Sequence, residues 1–407
     1  DYAGMAKELK SAIPQLEHLI VAGGSADGAW SLDEGIAKSA PMAAGDRAAM
    51  DPDEIFRMAF TSGTTGDPKC VLHSFNTTIC AVRLINDDMK VTDRDVMLVY
   101  LPVGLNWGYL CLLQTIIAGG RAVLLERFSA RAALEAIQRE RVSYIATAPA
   151  SIVAMLNEPG LESFDLTSLR VVITGGASAA IETIRDYQKR MKGHLIELYG
   201  MLETGFHTYT RFTDDPQKVN GTIGRVAGQM GLRLMDEAGA DVPAGAVGEI
   251  AALGPSVHLG YHNNPQANAD SFTPEGWFRS GDLGKFVDGA GNVQIVGRRK
   301  EIINRGGKKF FPREVEEVLY THPKIMHAAM VGIADPRLGE RNCLCVIPRA
   351  GQQLELEEIV AFLKGQVADY KLPEVLVRVE ELPFTGTGKI RRHVLREQVE
   401  KRLAQSS

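Results

Sequence analysis

Short apolar runs alternate with helical patterns along the first two-thirds of the chain. Apolar residues recur at helical spacing in residues 130–141, where Ala133 and Ile137 share one face, and again in residues 181–191. The apolar runs that predict strands are residues 122–125, 142–147, 169–173 and 195–199. Strands and helices in alternation predict a parallel sheet with crossover helices on both faces.

Three glycines follow predicted strands of this sheet. Gly175 and Gly176 come after the strand at residues 169–173, and Gly200 comes after the strand at residues 195–199. Ligands of parallel sheets bind beyond the carboxyl ends of the strands, so these glycines lie where a ligand is expected. They either allow a ligand to approach closely or only turn the chain, and the sequence leaves both interpretations open.

The pattern changes after residue 220, where Gly and Pro become frequent and the predicted strands are short. This composition and the short strands indicate a β-rich subdomain, which is followed from residue 300 by a smaller α+β unit. The elements predicted here are strands at residues 248–252 and 292–296, a helix opened by Pro312, strands at 326–333 and 343–348, and a helix at 357–367. We therefore predict an α/β fold with a large domain at residues 1–299 and a small α+β domain at residues 300–407.

Composition excludes several classes of protein. The chain has 407 residues and a net charge of −5, whereas domains that bind nucleic acids are usually strongly basic. No run of about 20 apolar residues is present, so we expect no membrane span. The five cysteines have no CxxC spacing, and Cys343 and Cys345 would share one face of a strand as reduced packing residues. Reduced cysteines and the lack of a signal peptide predict a cytoplasmic protein.

Residues 61–69 form a dense group of hydroxyls and glycines. The segment, Thr61-Ser62-Gly63-Thr64-Thr65-Gly66-Asp67-Pro68-Lys69, ends in a lysine. Glycines let backbone N–H groups turn toward an anion, hydroxyls add donors and Lys69 adds charge, which is how a loop binds phosphate oxygens. The GxxxxGK[ST] spacing of the Walker P-loop is absent. We predict a phosphate-binding loop, and a solvated Ser/Thr turn is the alternative.

This loop resembles the signature loop of the adenylate-forming enzymes, which include acyl- and aryl-CoA synthetases and the adenylation domains of peptide synthetases. Further segments resemble motifs of that family in the same order along the chain. They are Gly175-Gly176-Ala177, Tyr199-Gly200-Met201-Leu202-Glu203, residues 276–282, residues 297–307 and residues 383–390. The resemblance covers residues 55–395, and we expect the leading N-terminal portion of the family to lie outside this chain.

The resemblance implies an ATP site. Asp282 and Arg298 would hold the ribose, and Lys389 and Lys69 would be the catalytic lysines. Glu203, together with Thr64, would hold Mg²⁺, a cation that prefers oxygen ligands. Thr64 and Lys69 would also contact ATP. The other implied ATP-binding residues are Thr61, Ser62, Gly63, Thr65, Gly66, Gly175, Gly176, Ala177, Tyr199, Gly200 and Met201.

The resemblance also implies a second half-reaction, in which a mobile C-terminal domain rotates about a hinge at Lys300. Gly306 and Gly307 would then line a tunnel for the pantetheine arm of coenzyme A, because glycines permit close approach. A plain hairpin turn is the alternative for this pair. The implied acyl pocket contains Asn106, Trp107 and Gly200.

Three residues, Cys70, Leu105 and Leu202, depart from the family's pattern. Leu202 stands where a threonine usually contacts the nucleotide phosphate, a loss of about 1 kcal/mol. Leu105 stands where a gating histidine is usual, and the Asn106 that follows it favours a compact aromatic or cyclic acid. For His207, close to Glu203, we predict a structural or pocket-lining role.

The predicted function is ligation: ATP and a small carboxylic acid form an acyl-adenylate and pyrophosphate, and the acyl group then passes to coenzyme A. One alternative is an aryl-acid adenylating enzyme that loads the pantetheine of a carrier protein. The other is a nucleotide-binding sensor without catalysis, for which the three departures would be the evidence. A homodimer is compatible with the sequence, which identifies neither the acid nor the oligomeric state.

Overall fold

The computed structural model describes residues 2–46, 49–61, 68–176, 181–216, 220–384 and 390–406. Two compact units divide the chain, Asp1–Asp51 and Pro52–Ser407. The first unit contains helix α1 (Tyr2–Ala12), a short parallel pair, β1 (Ile20–Val21) and β2 (Trp30–Ser31), and helix α2 (Leu32–Lys38). The Ser31 hydroxyl begins α2 by accepting a hydrogen bond from the Glu34 N–H.

The second unit begins with an antiparallel pair, β3 (Ile55–Phe60) and β4 (Cys70–Ser74), and is built around a seven-stranded sheet. The sheet strands are β5 (Val96–Val99), β6 (Arg121–Leu124), β7 (Tyr144–Thr147), β8 (Val171–Gly175), β9 (His194–Met201), β10 (Gly205–Tyr209) and β11 (Arg225–Val226). The order β6-β5-β7-β8-β9 is parallel, and β10 and β11 extend it antiparallel. The predicted parallel sheet and the α/β class are therefore confirmed.

Helices cover both faces of this sheet. Helices α3 (Phe75–Asp88) and α4 (Asn106–Ala118) pack on the face that carries Met97 and Val99. The opposite face carries Leu98 and is covered by α5 (Ala130–Glu140), α6 (Pro149–Leu156) and α7 (Ile181–Arg190). Successive side chains of β5 enter different cores, as the two-residue period of a doubly covered strand requires.

A four-stranded antiparallel sheet follows and confirms the predicted β-rich segment. Its elements are β12 (Gly231–Met235), β13 (Gly248–Leu253), helix α8 (Pro265–Ser271), β14 (Phe278–Phe286) and β15 (Val293–Arg298). In β14 and β15, Asp282 and Arg298 lie directly opposite each other. This pairing brings together two residues that the family resemblance predicts to share one ribose site.

The chain after residue 300 forms a separate five-stranded sheet flanked by helices. Its elements are β16 (Ile303–Arg305), β17 (Lys308–Phe310), α9 (Pro312–Leu319), β18 (Ile325–Asp335), β19 (Gly339–Pro348), α10 (Leu356–Leu363), β20 (Val375–Arg378) and α11 (Arg392–Ser406). Cys343 and Cys345 share a face of β19 as free, buried thiols and pack in one cluster with Leu395 and Val399 of α11. Their predicted packing role is confirmed, whereas the domain boundary at residues 299 and 300 stays a prediction.

Several element ends differ from the sequence predictions, and three of these ends lie at or next to glycines. The last predicted helix ends at Leu363 rather than at residue 367, because Gly365 adopts a left-handed φ of 83°. Strand β8 runs to Gly175, and β9 continues through Gly200 instead of ending before it. None of the described helices combines the length and apolar character needed to cross a bilayer.

A buried arginine ties the C-terminal elements together. Arg392 Nε donates to Glu301 at 3.0 Å, and its Nη1 and Nη2 donate to the Glu316 carboxylate at 2.6 and 2.8 Å. Nη1 also donates to the Met330 carbonyl at 3.0 Å. Arg392 therefore joins the start of α11 to α9, to β18 and to the short 3₁₀ turn at Arg299–Glu301.

Replacing Glu316 by Gln should destabilise the protein, because it leaves part of a buried guanidinium charge without its partner. We expect the free energy of unfolding to fall by about 3 kcal/mol in urea titrations followed by circular dichroism. The matched control is Glu317→Gln on the same helix, whose exposed carboxylate pairs with Arg313. This substitution should lower the free energy of unfolding by less than about 0.5 kcal/mol. Equal losses in the two variants would contradict a structural role for the Arg392 network.

Candidate active site

The predicted phosphate loop is closed at its base by two hydrogen bonds. The Thr61 N–H donates to the Lys69 carbonyl at 2.9 Å, and the Lys69 N–H donates to Thr61 Oγ1 at 3.1 Å. The structure thus gives the Thr61 hydroxyl a role in holding the loop. The remaining predicted loop residues, Ser62, Gly63, Thr64, Thr65 and Gly66, lie outside the described residues.

Lys69 and Glu203 are brought together by an aromatic residue that the sequence analysis missed. The Lys69 ammonium lies 4.5 Å from the centre of the Tyr261 ring, and the Tyr261 hydroxyl donates to Glu203 Oε1 at 3.0 Å. Burial, and then the neighbouring Glu203 carboxylate, raise the pKa of Tyr261 above its ordinary range. A single tyrosine in a Gly-rich stretch carries no spacing signal, so only the fold identifies it.

Glu203 lies in the turn between β9 and β10, where the His258 N–H holds its carbonyl at 2.8 Å. No group of three or more His, Cys, Asp or Glu side chains forms a metal cage within the described part of the chain. Mg²⁺ is usually bound through one or two carboxylates and substrate phosphates rather than by an all-protein cage. One carboxylate beside a lysine that is predicted to bind phosphate is therefore a donor set that fits Mg²⁺.

Asp282 is the centre of a buried hydrogen-bonded cluster. Tyr199 donates its hydroxyl to Asp282 Oδ2 at 2.8 Å, and Arg298 Nε lies 3.0 Å from Oδ1. Asp282 is 5% exposed, and its charge raises the pKa of Arg298 above the ordinary value. Burial raises the pKa of Tyr199, so its phenol stays protonated and donates. Three residues that the sequence assigns to the nucleotide are thus in contact.

A second buried carboxylate, Glu249, holds the turn that precedes Asp282. Its Oε1 accepts from the Gly281 N–H at 3.0 Å, and its Oε2 accepts from Arg279 Nε at 2.8 Å and from Arg299 Nη1 at 3.2 Å. Arg299 immediately precedes Lys300, the predicted hinge. Glu249 was not among the residues predicted from sequence, although an acidic residue in an otherwise apolar predicted strand was the available signal.

Close packing requires glycine at residues 175 and 200, and a left-handed φ of 77° favours glycine at residue 176. A Cβ at Gly175 would lie 2.6 Å from the Leu198 carbonyl oxygen and 3.3 Å from the Trp107 ring, which also lies against Gly176. A Cβ at Gly200 would lie 2.0 Å from the Gly205 carbonyl oxygen. The backbone alone explains these glycines, and their contacts with ATP stay predictions. Ala177, the third residue of the predicted adenine turn, lies outside the described residues.

Asn106 and its neighbours form the predicted acyl side of the site. Asn106 Oδ1 accepts from Arg57 Nη1 at 2.6 Å, and its Nδ2 donates to the Met201 carbonyl at 3.4 Å. His73 Nε2 donates to the Leu202 carbonyl at 2.7 Å. Arg57 and His73 were not predicted from sequence, because neither residue belongs to a recognisable motif.

The C-terminal site predictions are partly outside the described residues. Lys389 lies there, so the structure gives no position for it. Gly306 and Gly307 have φ angles of 58° and 84° and form the two-residue turn between β16 and β17. The hairpin-turn alternative is therefore what the backbone adopts, and the tunnel role stays a prediction. Lys300 lies in the 3₁₀ turn between the Glu249 and Arg392 networks.

Two family models match the chain: one described as AMP-binding enzyme covers residues 3–262, and one described as AMP-binding enzyme C-terminal domain covers residues 314–389. The medium-chain fatty-acid–CoA ligase of Escherichia coli (strain K12) is 36% identical over 357 residues, which are 87% of this chain and 62% of that protein. The indoleacetate–CoA ligase of Aromatoleum aromaticum is 36% identical over 355 residues, 86% of this chain and 68% of that protein. This chain therefore spans 62% of the length of the Escherichia coli relative.

Solved structures share the fold. The crystal structure of ATP-bound MatB from Rhodopseudomonas palustris superposes with a TM-score of 0.86 at 27% sequence identity. The superposition covers 96% of this chain and 81% of that one. The agreement extends over both the seven-stranded sheet and the C-terminal sheet, since almost the whole chain is aligned.

Three buried histidines should make stability depend on pH. Burial lowers the pKa of His73, His207 and His258 from 6.5 to about 4. His207 Nε2 donates to the Gly231 carbonyl, in keeping with its predicted structural role. In the unfolded chain these imidazoles bind protons near their ordinary pKa, so stability should fall as pH drops from about 6.5 to about 4.

Urea titrations at about pH 7 and about pH 5 should therefore show a smaller loss of stability for His207→Asn than for the unmodified protein. Asparagine can keep the donor to Gly231 but binds no proton in this range. His262→Asn, at an exposed histidine, should leave the pH dependence unchanged. If His207→Asn has the same pH dependence as the unmodified protein, the buried imidazole is not a source of the acid sensitivity.

Proposed function

The chain belongs to the AMP-binding enzyme family, and we propose that it activates a carboxylic acid with ATP and transfers the acyl group to coenzyme A. The observation that carries this proposal is that one short segment, residues 199–203, contacts both groups of predicted ATP-binding residues. Tyr199 contacts Asp282 at one end of the segment, and Glu203 contacts Tyr261 beneath Lys69 at the other. The end of β9 thus links two groups of side chains. Asp282 is a carboxylate suited to ribose, and Lys69 and Glu203 are suited to the phosphates and their cation.

The nucleotide would bind along this segment. Asp282, already held by Tyr199 and Arg298, keeps carboxylate lone pairs that can accept from ribose hydroxyls. Residues 175–177 would contact the adenine, and the loop at residues 61–69 would bind the β- and γ-phosphates through its N–H groups, hydroxyls and Lys69. Glu203, with Thr64, would hold Mg²⁺, which supplies charge neutralisation at the phosphates.

In the first half-reaction, one carboxylate oxygen of the acid attacks the α-phosphorus of ATP and the bond to pyrophosphate breaks, which leaves an acyl-adenylate. Both reactants are anionic, so the site must neutralise charge and align them. Lys389 would contact the acid carboxylate and the α-phosphate as charge develops, and Lys69 would stabilise the departing pyrophosphate. Asn106, Trp107 and Gly200 would line the acyl pocket.

In the second half-reaction, the thiol of coenzyme A attacks the acyl carbon and AMP leaves. Rotation about Lys300 would remove Lys389 and bring Gly306 and Gly307 to the thiol arm. The ion pairs on either side of Lys300, Arg299 with Glu249 and Glu301 with Arg392, would fix the ends of such a hinge. We propose coenzyme A rather than a carrier protein as acceptor, because both named relatives are CoA ligases.

Acid-dependent exchange between ATP and labelled pyrophosphate tests the proposal against a sensor that only binds nucleotide. We expect exchange with at least one acid from a panel of short aliphatic, long aliphatic, cyclic and aryl acids. Asp282→Asn should raise the KM for ATP about tenfold to hundredfold, because it weakens charge-assisted hydrogen bonds. Asp288→Asn, at an exposed carboxylate on the β14–β15 hairpin, is the matched control and should change the KM less than about twofold. ATP binding without exchange would favour the sensor.

Lys389→Ala should separate the two half-reactions. Loss of the charge that meets the developing negative charge should lower adenylation about 10²- to 10³-fold. Thioester formation from pre-made acyl-adenylate should change less than about threefold, since Lys389 would have left the site by then. Lys401→Ala, at an exposed lysine of α11, is the control for loss of charge. If both steps fall together, the two-conformation proposal is wrong.

A further inference from the structure

Arg57 of β3 holds a positive charge beside the predicted acyl pocket. Its Nη1 donates to Asn106 Oδ1 at 2.6 Å, and its guanidinium carbon lies 4.4 Å from the centre of the Tyr109 ring. The side chain is half-buried, and burial lowers its pKa from the ordinary value. The desolvated charge is therefore met by an amide oxygen and an aromatic face.

The other half-buried arginines of the described residues all have carboxylate partners. They are Arg170, Arg211, Arg225, Arg233, Arg279, Arg298, Arg305, Arg313, Arg341, Arg392 and Arg396. Among those same residues, Arg57 forms no ion pair. A charge removed from water is normally paired, so Arg57 departs from the pattern that the rest of the chain follows.

The groups facing Arg57 supply no compensating negative charge. A small cavity is lined by Arg57, Asn106, His73, Leu110, Leu202 and Ser256. His73 donates through Nε2 to the Leu202 carbonyl, and burial lowers the pKa of His73 to about 4, so its imidazole is neutral near pH 7. Burial raises the pKa of Tyr109, so its phenol is also uncharged. The described wall of the cavity therefore carries one net positive charge.

A guanidinium has five N–H donors in a planar fork, and the contact with Asn106 uses one of them. The geometry of this fork matches a carboxylate, which it binds through two parallel hydrogen bonds. The cavity has room for about one water molecule, so a carboxylate would enter it only if the lining side chains moved apart. Leu110 and Leu202 provide apolar contacts beside the charged group.

We propose that the acid substrate is a dicarboxylic acid, and that Arg57, positioned by Asn106, binds the carboxylate that does not react with ATP. The inference rests on the proposed acid activation, because it concerns the acyl end of the same site. A monocarboxylic acid would leave the guanidinium donors unsatisfied in a partly desolvated pocket, which disfavours its binding. Arg57 would thus determine specificity without touching the reacting carboxylate.

The test compares monocarboxylates and dicarboxylates of equal chain length, from propanoate and malonate to octanoate and suberate, in pyrophosphate exchange. At the preferred chain length, Arg57→Met should lower kcat/KM for the dicarboxylate about tenfold to hundredfold. It should raise kcat/KM for the monocarboxylate, because no guanidinium donors are then left unsatisfied beside it. Arg57→Glu should invert the preference, so that the ω-amino acid of that length is used better than the dicarboxylate. Arg94→Met, at an exposed arginine, should leave the preference unchanged.

Thermal melting of the same variants with each acid separates this inference from the proposed function. If no acid supports exchange but the dicarboxylate raises the melting midpoint of the unmodified protein and not of Arg57→Met, the acid-binding inference stands and the ligase proposal fails. If exchange occurs but Arg57→Met lowers it equally for both acids of a pair, Arg57 has only a structural role. A monocarboxylate preference in the unmodified protein, or no inversion in a folded Arg57→Glu, would likewise overturn the inference.

Discussion

The site depends on one buried carboxylate. Asp282 is almost fully removed from water. Burying its charge would destabilise the fold without the hydrogen bond from the Tyr199 hydroxyl and the ion pair with the Arg298 guanidinium. These partners come from different sheets, since Tyr199 is on β9 and Arg298 is on β15. The hydrogen bonds that satisfy Asp282 therefore also fix the end of the parallel sheet against the antiparallel one.

The positions of Glu203 and Lys69, which we propose to bind the cation and the phosphates, follow from that constraint. Once Tyr199 is held, the chain turns at residues 202–204, and the close approach of Gly200 to Gly205 leaves no room for a side chain at residue 200. Glu203 emerges from this turn and is met by Tyr261, above which Lys69 lies. Backbone packing and one tyrosine thus place the carboxylate proposed for the cation and the ammonium proposed for the phosphates.

Networks of buried ion pairs also lie on both sides of Lys300. Glu249 binds Arg299 and, through Gly281, holds the turn that carries Asp282. Arg392 binds Glu301 and the helix that follows the hairpin at Gly306 and Gly307. A single exposed residue, Lys300, separates these networks. The proposed rotation at Lys300 would therefore move the C-terminal elements without breaking either network or exposing either core.

Much of this arrangement was accessible from sequence because strand and helix periods differ, and because glycines and prolines mark element ends. The parallel sheet, the antiparallel subdomain and the β19 cysteines follow from such patterns. Side chains that act through long-range contact were not accessible: Tyr261, Glu249 and Arg57 lie in segments whose local pattern does not indicate their partners. The extent of β9 was also missed, since an interior glycine usually weakens a strand.

The most direct test of the central claim is a crystal structure of this chain with Mg²⁺ and an ATP analogue that cannot be cleaved between the α- and β-phosphates. The account predicts ribose hydroxyls within hydrogen-bonding distance of Asp282, and the β- and γ-phosphates between Lys69 and the Glu203 carboxylate. A nucleotide bound elsewhere, or bound with its ribose away from Asp282, would contradict it.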